Sequence, residues 1–204
     1  ASVRAGVWSV ASVAPQMMRL SGQRLGLVGF GGIGRRVAAK ARAMGFVVSA
    51  YSRHLTDEDT AAVGVERAPD LRSLLQNCDF VSLHLPLTPE ARHIIGASEM
   101  AAMKSSAFLV NTSRGGLVDE RALCAALTDG RIAGAALDVL EQEPLASDNP
   151  LLRVPNVILS PHAAYFSRTS VRELQTKTAE AVAAVLSGKV PRSVVNPEVL
   201  AARD

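Results

Sequence analysis

The fold of this chain is indicated by one stretch near its beginning, Arg24-Leu25-Gly26-Leu27-Val28-Gly29-Phe30-Gly31-Gly32-Ile33-Gly34. The apolar run Arg24–Phe30 predicts a buried strand, and the helical pattern Ile33–Met44 follows it. The first glycine of the turn permits a tight bend, the second admits the backbone close to a pyrophosphate, and the third packs helix on strand. The helix N-terminus adds the positive end of its dipole. In this context the pattern predicts a dinucleotide site, with a plain glycine-rich turn as the alternative.

Short apolar runs alternate with helical patterns along most of the chain. Each run is too continuously apolar for a sheet with one face in water, so both faces must be covered. The succession of strand, helix and strand predicts an α/β fold with a doubly wound parallel sheet. The predicted strands are Arg24–Phe30, Phe46–Tyr51, Asp79–Leu85, Ala107–Asn111, Ala133–Val139 and Val157–Ser160, and the predicted helices are Ile33–Met44, Leu71–Gln76, Ser98–Met103 and Glu120–Thr128.

The two ends of the chain lack this alternation. Ser2–Arg19 is a weakly amphipathic helical pattern interrupted by Pro15. A second helix of about 18 residues is predicted to start near the capping box Ser170–Glu173 and to stop at Gly188. We therefore expect three segments, namely a linking helix in residues 1–20, a dinucleotide-binding domain in residues 21–163, and a C-terminal helix with its tail in residues 164–204.

Composition limits the classes of protein that fit. The chain has 204 residues, with 22 Lys and Arg against 19 Asp and Glu, and 48% of its residues are hydrophobic. Its apolar runs are shorter than the roughly 20 residues of a membrane span, and its scattered basic residues lack interleaved aromatics. We therefore expect neither membrane nor nucleic acid as a partner. Cys78 and Cys124 have no paired spacing, which predicts no metal site and favours a reducing, cytoplasmic location.

The residues that would contact the cofactor ribose follow the second predicted strand. An Asp or Glu there normally binds the 2′-hydroxyl of NAD, but this chain has Ser52-Arg53-His54, beginning 18 residues after Gly34. These groups do not repel a 2′-phosphate, and the Arg53 guanidinium can donate two hydrogen bonds to it. We therefore expect NAD(H) or NADP(H), with NADP(H) slightly favoured. Two solvated basic residues beside a serine that bonds an ordinary ribose are the alternative.

Three polar residues follow predicted strand ends, where ligands bind in open parallel sheets. Arg114 lies in the turn after the fourth predicted strand and can direct its guanidinium at a carboxylate. Glu143 comes five residues after Asp138, and His162 follows the last strand. A carboxylate beside an imidazole orients the ring and favours its protonated form, as a proton donor requires. Taken singly, Arg114 could be a surface ion-pair partner and His162 a structural histidine. The structural interpretation is also the one we give to His54, His84 and His93.

Together these residues resemble the D-isomer-specific 2-hydroxyacid dehydrogenases, a family with phosphoglycerate, glyoxylate/hydroxypyruvate and C-terminal-binding-protein branches. The resemblance extends from Arg4 to Val199, and Ser160–Ser167 looks most like the C-terminal-binding-protein branch. Four segments carry it in order: Val28–Gly34, His84-Leu85-Pro86-Leu87-Thr88, Val110–Asp119, and Ala136–Val139 through Glu141-Gln142-Glu143-Pro144 to Ser160-Pro161-His162-Ala163-Ala164.

The resemblance implies hydride transfer between a nicotinamide cofactor and a small D-2-hydroxy acid or 2-oxo acid, in a Rossmann-type domain. Arg114 would bind and polarise the 2-oxo acid, His162 would be the general acid/base, and Glu143 would be its partner. Asp138 would hold the nicotinamide carboxamide. The remaining cofactor contacts would come from Gly29, Gly31, Gly32, Ile33, Gly34, Leu85, Pro86, Thr88, Thr112, Ser113 and Ala164, beside Ser52, Arg53 and His54.

The resemblance also implies a homodimer, with residues 1–20 as a dimer arm. Most of the family's substrate domain, its first roughly hundred residues, is expected to be absent from this sequence. The alternative is a non-catalytic dinucleotide-sensing protein of the corepressor kind, which keeps the cofactor site and acts by binding a partner. The intact set Arg114, Glu143 and His162 favours the enzyme.

Overall fold

A computed structural model describes residues 6–9 and 17–203 of the chain. Its centre is a seven-stranded sheet in the order β3-β2-β1-β4-β5-β6-β7, and every neighbouring pair is parallel. This arrangement confirms the doubly wound α/β fold. The strands are β1 Arg24–Val28, β2 Val47–Tyr51, β3 Glu66–Arg67, β4 Phe80–Leu83, β5 Phe108–Asn111, β6 Gly134–Leu137 and β7 Val157–Leu159.

Helices connect most of the strands. The chain divides into two compact units, with the boundary between His162 and Ala163. Among the described residues, no helix is long and apolar enough to cross a membrane. The α-helices are α1 Gly32–Ala43, α2 Asp57–Ala61, α3 Leu71–Asn77, α4 Ala97–Ala102, α5 Glu120–Thr128 and α6 Arg168–Leu186, and short 3-10 turns lie at Pro89–Ala91, Gly115–Leu117, Pro150–Arg153 and Pro197–Arg203.

Apolar residues cover both faces of the sheet, as the continuous apolar strands predict. Alternate residues of β1 point to opposite faces, so Leu27 belongs to one core cluster and Val28 to the other. The Leu27 cluster includes Ala38 and Ala41 of α1. The Val28 cluster includes residues of α3, α4 and α5, among them the fully buried Leu123. Burial on both faces stabilises the sheet and leaves the strand ends for the site.

The sequence missed two short elements between β2 and α3. Strand β3 is only Glu66–Arg67, both exposed, and it pairs with β2 through Ser49↔Glu66 and Ala50↔Arg67. Helix α2 is a single turn capped by Thr56. Charged residues at a sheet edge carry no apolar periodicity, so β3 has no pattern that sequence analysis can detect. The capping box of α2, formed by Thr56 and Asp59, is a local signal that the sequence analysis did not use.

Two predictions for the ends of the chain were wrong in part. Helix α6 is capped by Ser167, whose Oγ accepts from Ser170 N at 3.0 Å, and so it starts before the predicted box Ser170–Glu173. Ser170 is the third helical residue, and its hydroxyl accepts in return from Ser167 N. Within Ser2–Arg19, the described residues 6–9 and 17–19 are not helical, and the rest of that prediction lies outside the described residues.

The carboxyl ends of four adjacent strands lie at one level. The register pairs Leu83 with Asn111, Asn111 with Leu137, and Leu137 with Leu159. Neighbouring strands are about 4.8 Å apart, so residues that directly follow these four ends share one edge of the sheet. That edge receives the segments that carry His84, Arg114, Asp138 and His162.

Candidate active site

The turn between β1 and α1 requires glycine at two positions. Gly29 has φ +95°, and a Cβ there would overlap the carbonyl oxygen of His84. A Cβ on Gly34 would lie 2.6 Å from Gly29 O. Both glycines therefore serve the close packing of the turn against α1 and the loop after β4, as the sequence pattern predicts.

The two glycines between them have a different use. A Cβ on Gly31 or Gly32 would have no protein atom within 4 Å. Gly31 is the N-cap of α1, and no side chain among the described residues caps it. The first N–H groups of α1 therefore face an open surface, and the oxygens of a pyrophosphate can accept from them. This turn has the open backbone surface that a pyrophosphate needs.

A cavity of about 300 Å³ lies over this turn. It brings together the glycine turn, the loop after β4 and the turn after β5, three segments that the sequence assigned to one cofactor site. The Ser113 hydroxyl in its wall donates to Leu83 O at 2.6 Å, which fixes the turn after β5 against the end of β4. The lining residues are Gly31, Gly32, Ile33, His84, Leu85, Pro86, Thr112, Ser113 and Arg114.

Other candidate cofactor residues lie outside that lining. Ser52 is half-buried after β2, whereas Arg53 and His54 are exposed. Hydrogen bonds from the Thr88 hydroxyl and from the Glu90 N–H lower the pKa of Glu90, and the charge of Arg53 contributes more weakly. Thr88 also caps the turn at Pro89–Ala91. Ala164 belongs to the C-terminal unit, and its place at the cofactor stays a prediction.

The turn that carries Arg114 is organised by a buried residue that the sequence analysis did not single out. Asn111 is fully buried, and its side chain donates to Arg114 O at 2.9 Å and accepts from Ser113 N at 3.0 Å. The Arg114 guanidinium is exposed and donates through Nη1 to Ser113 O. A polar residue at the end of a buried strand needs such partners, and that position was the available signal.

Gly115 brings this turn against the loop after β6. A Cβ at Gly115 would overlap the carbonyl group of Leu140 and lie 2.5 Å from Glu141 N. Only a residue without a side chain allows the two backbones to approach so closely. The segment with Arg114 is therefore in contact with the segment that leads to Glu143.

Glu143 and His162 form a pair, as the sequence suggested. His162 Nδ1 lies 2.7 Å from Glu143 Oε2, and Leu140 N donates to Glu143 Oε1 at 3.0 Å. His162 has φ +51°, and its N–H donates to Asp138 O at 2.8 Å. Because the carboxylate holds Nδ1, Nε2 is the ring nitrogen that can reach a substrate.

The electrostatics of the pair favour an ionised carboxylate. Hydrogen bonds from His162 and from Leu140 N lower the pKa of Glu143, and they outweigh burial and the nearby charge of Asp138, which raise it. The ionised carboxylate therefore holds His162 Nδ1 by a charge-assisted hydrogen bond.

A second cavity, of about 620 Å³, contains this pair and Asp138. Asp138 is 5% exposed and accepts from Ser160 Oγ at 2.5 Å. Burial of a carboxylate is costly unless donors satisfy it, and the Ser160 hydroxyl is one such donor. Most of the remaining lining is apolar: Leu140, Pro144, Leu145, Leu152, Leu159 and Pro161.

Within the part of the chain that the structure describes, no group of three or more His, Cys, Asp or Glu side chains is arranged to hold a metal ion. The polar groups of the site are instead a guanidinium, a carboxylate–imidazole pair and backbone N–H groups. These groups can bind an anionic substrate, and His162 Nε2 can transfer a proton to or from it.

Comparison with known proteins relates this chain to the D-isomer specific 2-hydroxyacid dehydrogenases. The family model of the D-isomer specific 2-hydroxyacid dehydrogenase, NAD binding domain, matches residues 1–164. A glyoxylate reductase of Korarchaeum cryptofilum is 45% identical over 204 residues, which cover 98% of this chain and 61% of the relative. A D-3-phosphoglycerate dehydrogenase of Methanocaldococcus jannaschii is 41% identical over 196 residues, which cover 96% of this chain and 37% of the relative.

A solved structure shares the fold of this chain at lower sequence identity. The D-lactate dehydrogenase of Lactobacillus jensenii, solved with NAD+, has a TM-score of 0.83 and 32% identity, covering 95% of this chain and 60% of that one. The chain spans less than two thirds of the length of each of these relatives. It belongs to the D-isomer specific 2-hydroxyacid dehydrogenase family and contains the NAD-binding domain of that family.

Proposed function

We propose that this chain binds a nicotinamide dinucleotide and supplies the proton-transfer groups of an oxidoreductase acting on small D-2-hydroxy acids and 2-oxo acids. The observation that carries the proposal is the Glu143–His162 pair, 2.7 Å apart, at the same sheet edge as the glycine turn. Relatives named glyoxylate reductase and D-3-phosphoglycerate dehydrogenase support the substrate class.

When bound, the cofactor gives or accepts a hydride at the substrate carbon. His162 Nε2 donates a proton to the carbonyl oxygen in the direction of reduction and takes it back in oxidation. Glu143 holds the ring through Nδ1, which leaves Nε2 available to the substrate. The Arg114 guanidinium binds the substrate carboxylate and stabilises the charge that develops on oxygen.

The residues proposed to hold the cofactor follow from the two cavities. The first N–H groups of α1, at Gly31–Ile33, would bind the pyrophosphate. Leu85 and Pro86 would contact the nucleotide from one side, and Thr112 and Ser113 from the other. Asp138 would accept from the carboxamide of the nicotinamide.

Arg53 bears on the preference between NADPH and NADH. The Arg53 guanidinium is exposed and can pair with a 2′-phosphate. We expect NADPH to bind more tightly than NADH by roughly tenfold, since a charge-assisted hydrogen bond contributes about 1.5–3 kcal/mol. Calorimetric titration of Arg53→Ala should show that ratio reduced. Equal dissociation constants in the unchanged protein would contradict the preference.

We also propose that the protein is a homodimer and that it is located in the cytoplasm. The described part of the N-terminal segment exposes large apolar side chains, with Trp8 89% and Met18 74% accessible. Exposed apolar groups of this kind are typical of an association surface. Light scattering of the purified protein tests the dimer, and the free thiols of Cys78 and Cys124 are compatible with a reducing compartment.

The activity is tested with His162→Gln in the protein at its full natural length. General acid/base groups contribute about 10²–10⁴-fold, so kcat with glyoxylate, hydroxypyruvate or phosphohydroxypyruvate should fall by that factor. The dissociation constant of NADH, measured by calorimetry, should stay unchanged. Rates equal to those of the unchanged protein would contradict the assignment. Binding of NADH without turnover of any 2-oxo acid would favour a dinucleotide sensor.

A further inference from the structure

We propose that Glu141 is a positioning residue for the Glu143–His162 pair, and that it ties this pair to the loop after β4. Its consequence for turnover rests on the proposed function, whereas its consequence for the geometry of the pair does not. The loop after β4 also contributes Leu85 and Pro86 to the cofactor cavity. Glu141 would therefore connect the two halves of the site.

The Glu141 carboxylate has donors from two separate segments. Oε2 accepts from Arg92 Nη2 and from His93 Nε2, each at 3.0 Å, and both residues follow β4. Oε1 accepts from Glu120 N at 3.2 Å, at the start of α5. The Glu141 N–H in turn donates to the Glu120 carboxylate. Hydrogen bonds to a charged group are stronger than neutral ones, so this cluster joins the segments firmly.

The partner on the β4 side is itself held in place. His93 has φ +51°, which is uncommon for a residue with a side chain, and its N–H donates to Gly116 O at 2.8 Å. Such a conformation persists where the surroundings determine it. The carboxylate thus bonds a histidine whose backbone is attached to the turn that carries Arg114.

Glu141 acts on the pair through a short loop. The segment Leu140–Glu143 is closed by the hydrogen bond from Leu140 N to Glu143 Oε1, and Glu141 lies inside it. Glu141 is the residue of this loop that anchors it to α5 and to the β4 side. Without that anchor the loop can turn, and Glu143 Oε2 then leaves His162 Nδ1.

The charge state of Glu141 is compatible with this role. Burial raises the pKa of Glu141, but hydrogen bonds from His93 and Glu120 N, with the nearby charges of His93 and Arg92, lower it overall. The carboxylate is therefore ionised around neutral pH. Its side chain is 26% exposed.

Asp79 provides a matched control. Its side chain is also 26% exposed, and it accepts from one backbone amide, Arg24 N at 2.8 Å, and from one cation, Lys104 Nζ at 2.7 Å. It precedes β4 and so lies at the opposite, amino edge of the sheet. Asp79→Asn and Glu141→Gln thus each remove one negative charge from similar surroundings. Asp79 lies far from the site, whereas Glu141 lies within it.

The experiment compares Glu141→Ala, Glu141→Gln and Asp79→Asn by proton NMR without substrate. The readout is the downfield resonance of the His162 Nδ1 proton, assigned by its loss in His162→Gln. We expect Glu141→Ala to lose that resonance, Glu141→Gln to retain it in weakened form, and Asp79→Asn to keep it. The affinity for NADH should change less than about threefold in all variants, because the pyrophosphate binds α1.

Turnover gives a second readout. A misplacement of about 1 Å can cost a hundredfold in rate, so kcat of Glu141→Ala should fall by about tenfold to a hundredfold, with partial recovery in Glu141→Gln. An unchanged His162 resonance in both Glu141 variants would overturn the proposal. If Glu141→Ala does not fold, the His162 resonance of Glu141→Gln alone tests the proposal: a weakened resonance supports it and an unchanged one overturns it. Absence of turnover in the unchanged protein would refute the proposed function and leave the NMR test valid.

Discussion

Gly115→Ala is the most direct test of how the site is assembled. A Cβ at this position would overlap the Leu140 carbonyl group and lie 2.5 Å from Glu141 N, whereas ordinary contact begins at 3.4 Å. The turn after β5 and the loop after β6 must therefore separate by about 1 Å or more. Both obstructing groups are backbone, so no change of rotamer relieves the overlap.

The expected cost follows from that geometry. Overpacking of a well-packed site costs about 1–3 kcal/mol, and a backbone obstruction places Gly115→Ala near about 3 kcal/mol. For a chain of this size each kcal/mol lowers Tm by about 2–4 °C, so Tm should fall by roughly 6–12 °C. A displacement of about 1 Å between Arg114 and the Glu143–His162 pair should also lower kcat about a hundredfold.

Thermal unfolding and steady-state kinetics measure these two effects, and the neighbouring glycine provides the control. A Cβ at Gly116 would meet Leu87 Cδ2 at 3.0 Å and Arg92 Nη1 at 3.3 Å, which are the ends of flexible side chains. Gly116→Ala should therefore cost less than about 1 kcal/mol. Equal Tm values for Gly115→Ala and Gly116→Ala would refute the reasoning.

Two further predictions concern the glycine turn and the catalytic pair. Gly31→Ala should lower Tm by only a few degrees, because alanine is a poorer N-cap than glycine but its Cβ meets no neighbouring atom within 4 Å, and it should weaken NADH binding about tenfold by occupying the pyrophosphate surface. Calorimetry with an unchanged dissociation constant would show that the phosphate binds elsewhere. The pKa of Glu143 is lowered in the folded state, so its contribution to stability is present above its ordinary pKa and is lost as the pH falls through the folded value. Urea unfolding of the unchanged protein and Glu143→Gln should differ most above about pH 5 and converge in strong acid, and a pH-independent difference would contradict this cause.

Much of the fold follows from local patterns. Continuous apolar runs predict strands covered on both faces, and Gly29-Phe30-Gly31-Gly32-Ile33-Gly34 predicts a strand–turn–helix in which Gly29 and Gly34 allow close packing and Gly31 and Gly32 leave the helix N-terminus open. The candidate residues Arg114, Glu143 and His162 also follow from the sequence, because in a parallel sheet all strand ends meet at one edge. Strand β3 lacks such a pattern and could not be predicted, whereas the capping box of Thr56 and Asp59 was a signal that could have revealed α2.

The contacts that assemble the site were decided by the tertiary structure. Glu141 and His93 are 48 residues apart in sequence, and Glu143 and His162 are 19 apart. The approach of Gly115 to Leu140 depends on the register of β5 and β6, and the Asn111 hydrogen bonds depend on the turn that follows β5. Periodicity and propensity describe a residue's own backbone and burial, whereas the pairing of distant side chains depends on strand register and loop conformation, which only the packed sheet determines.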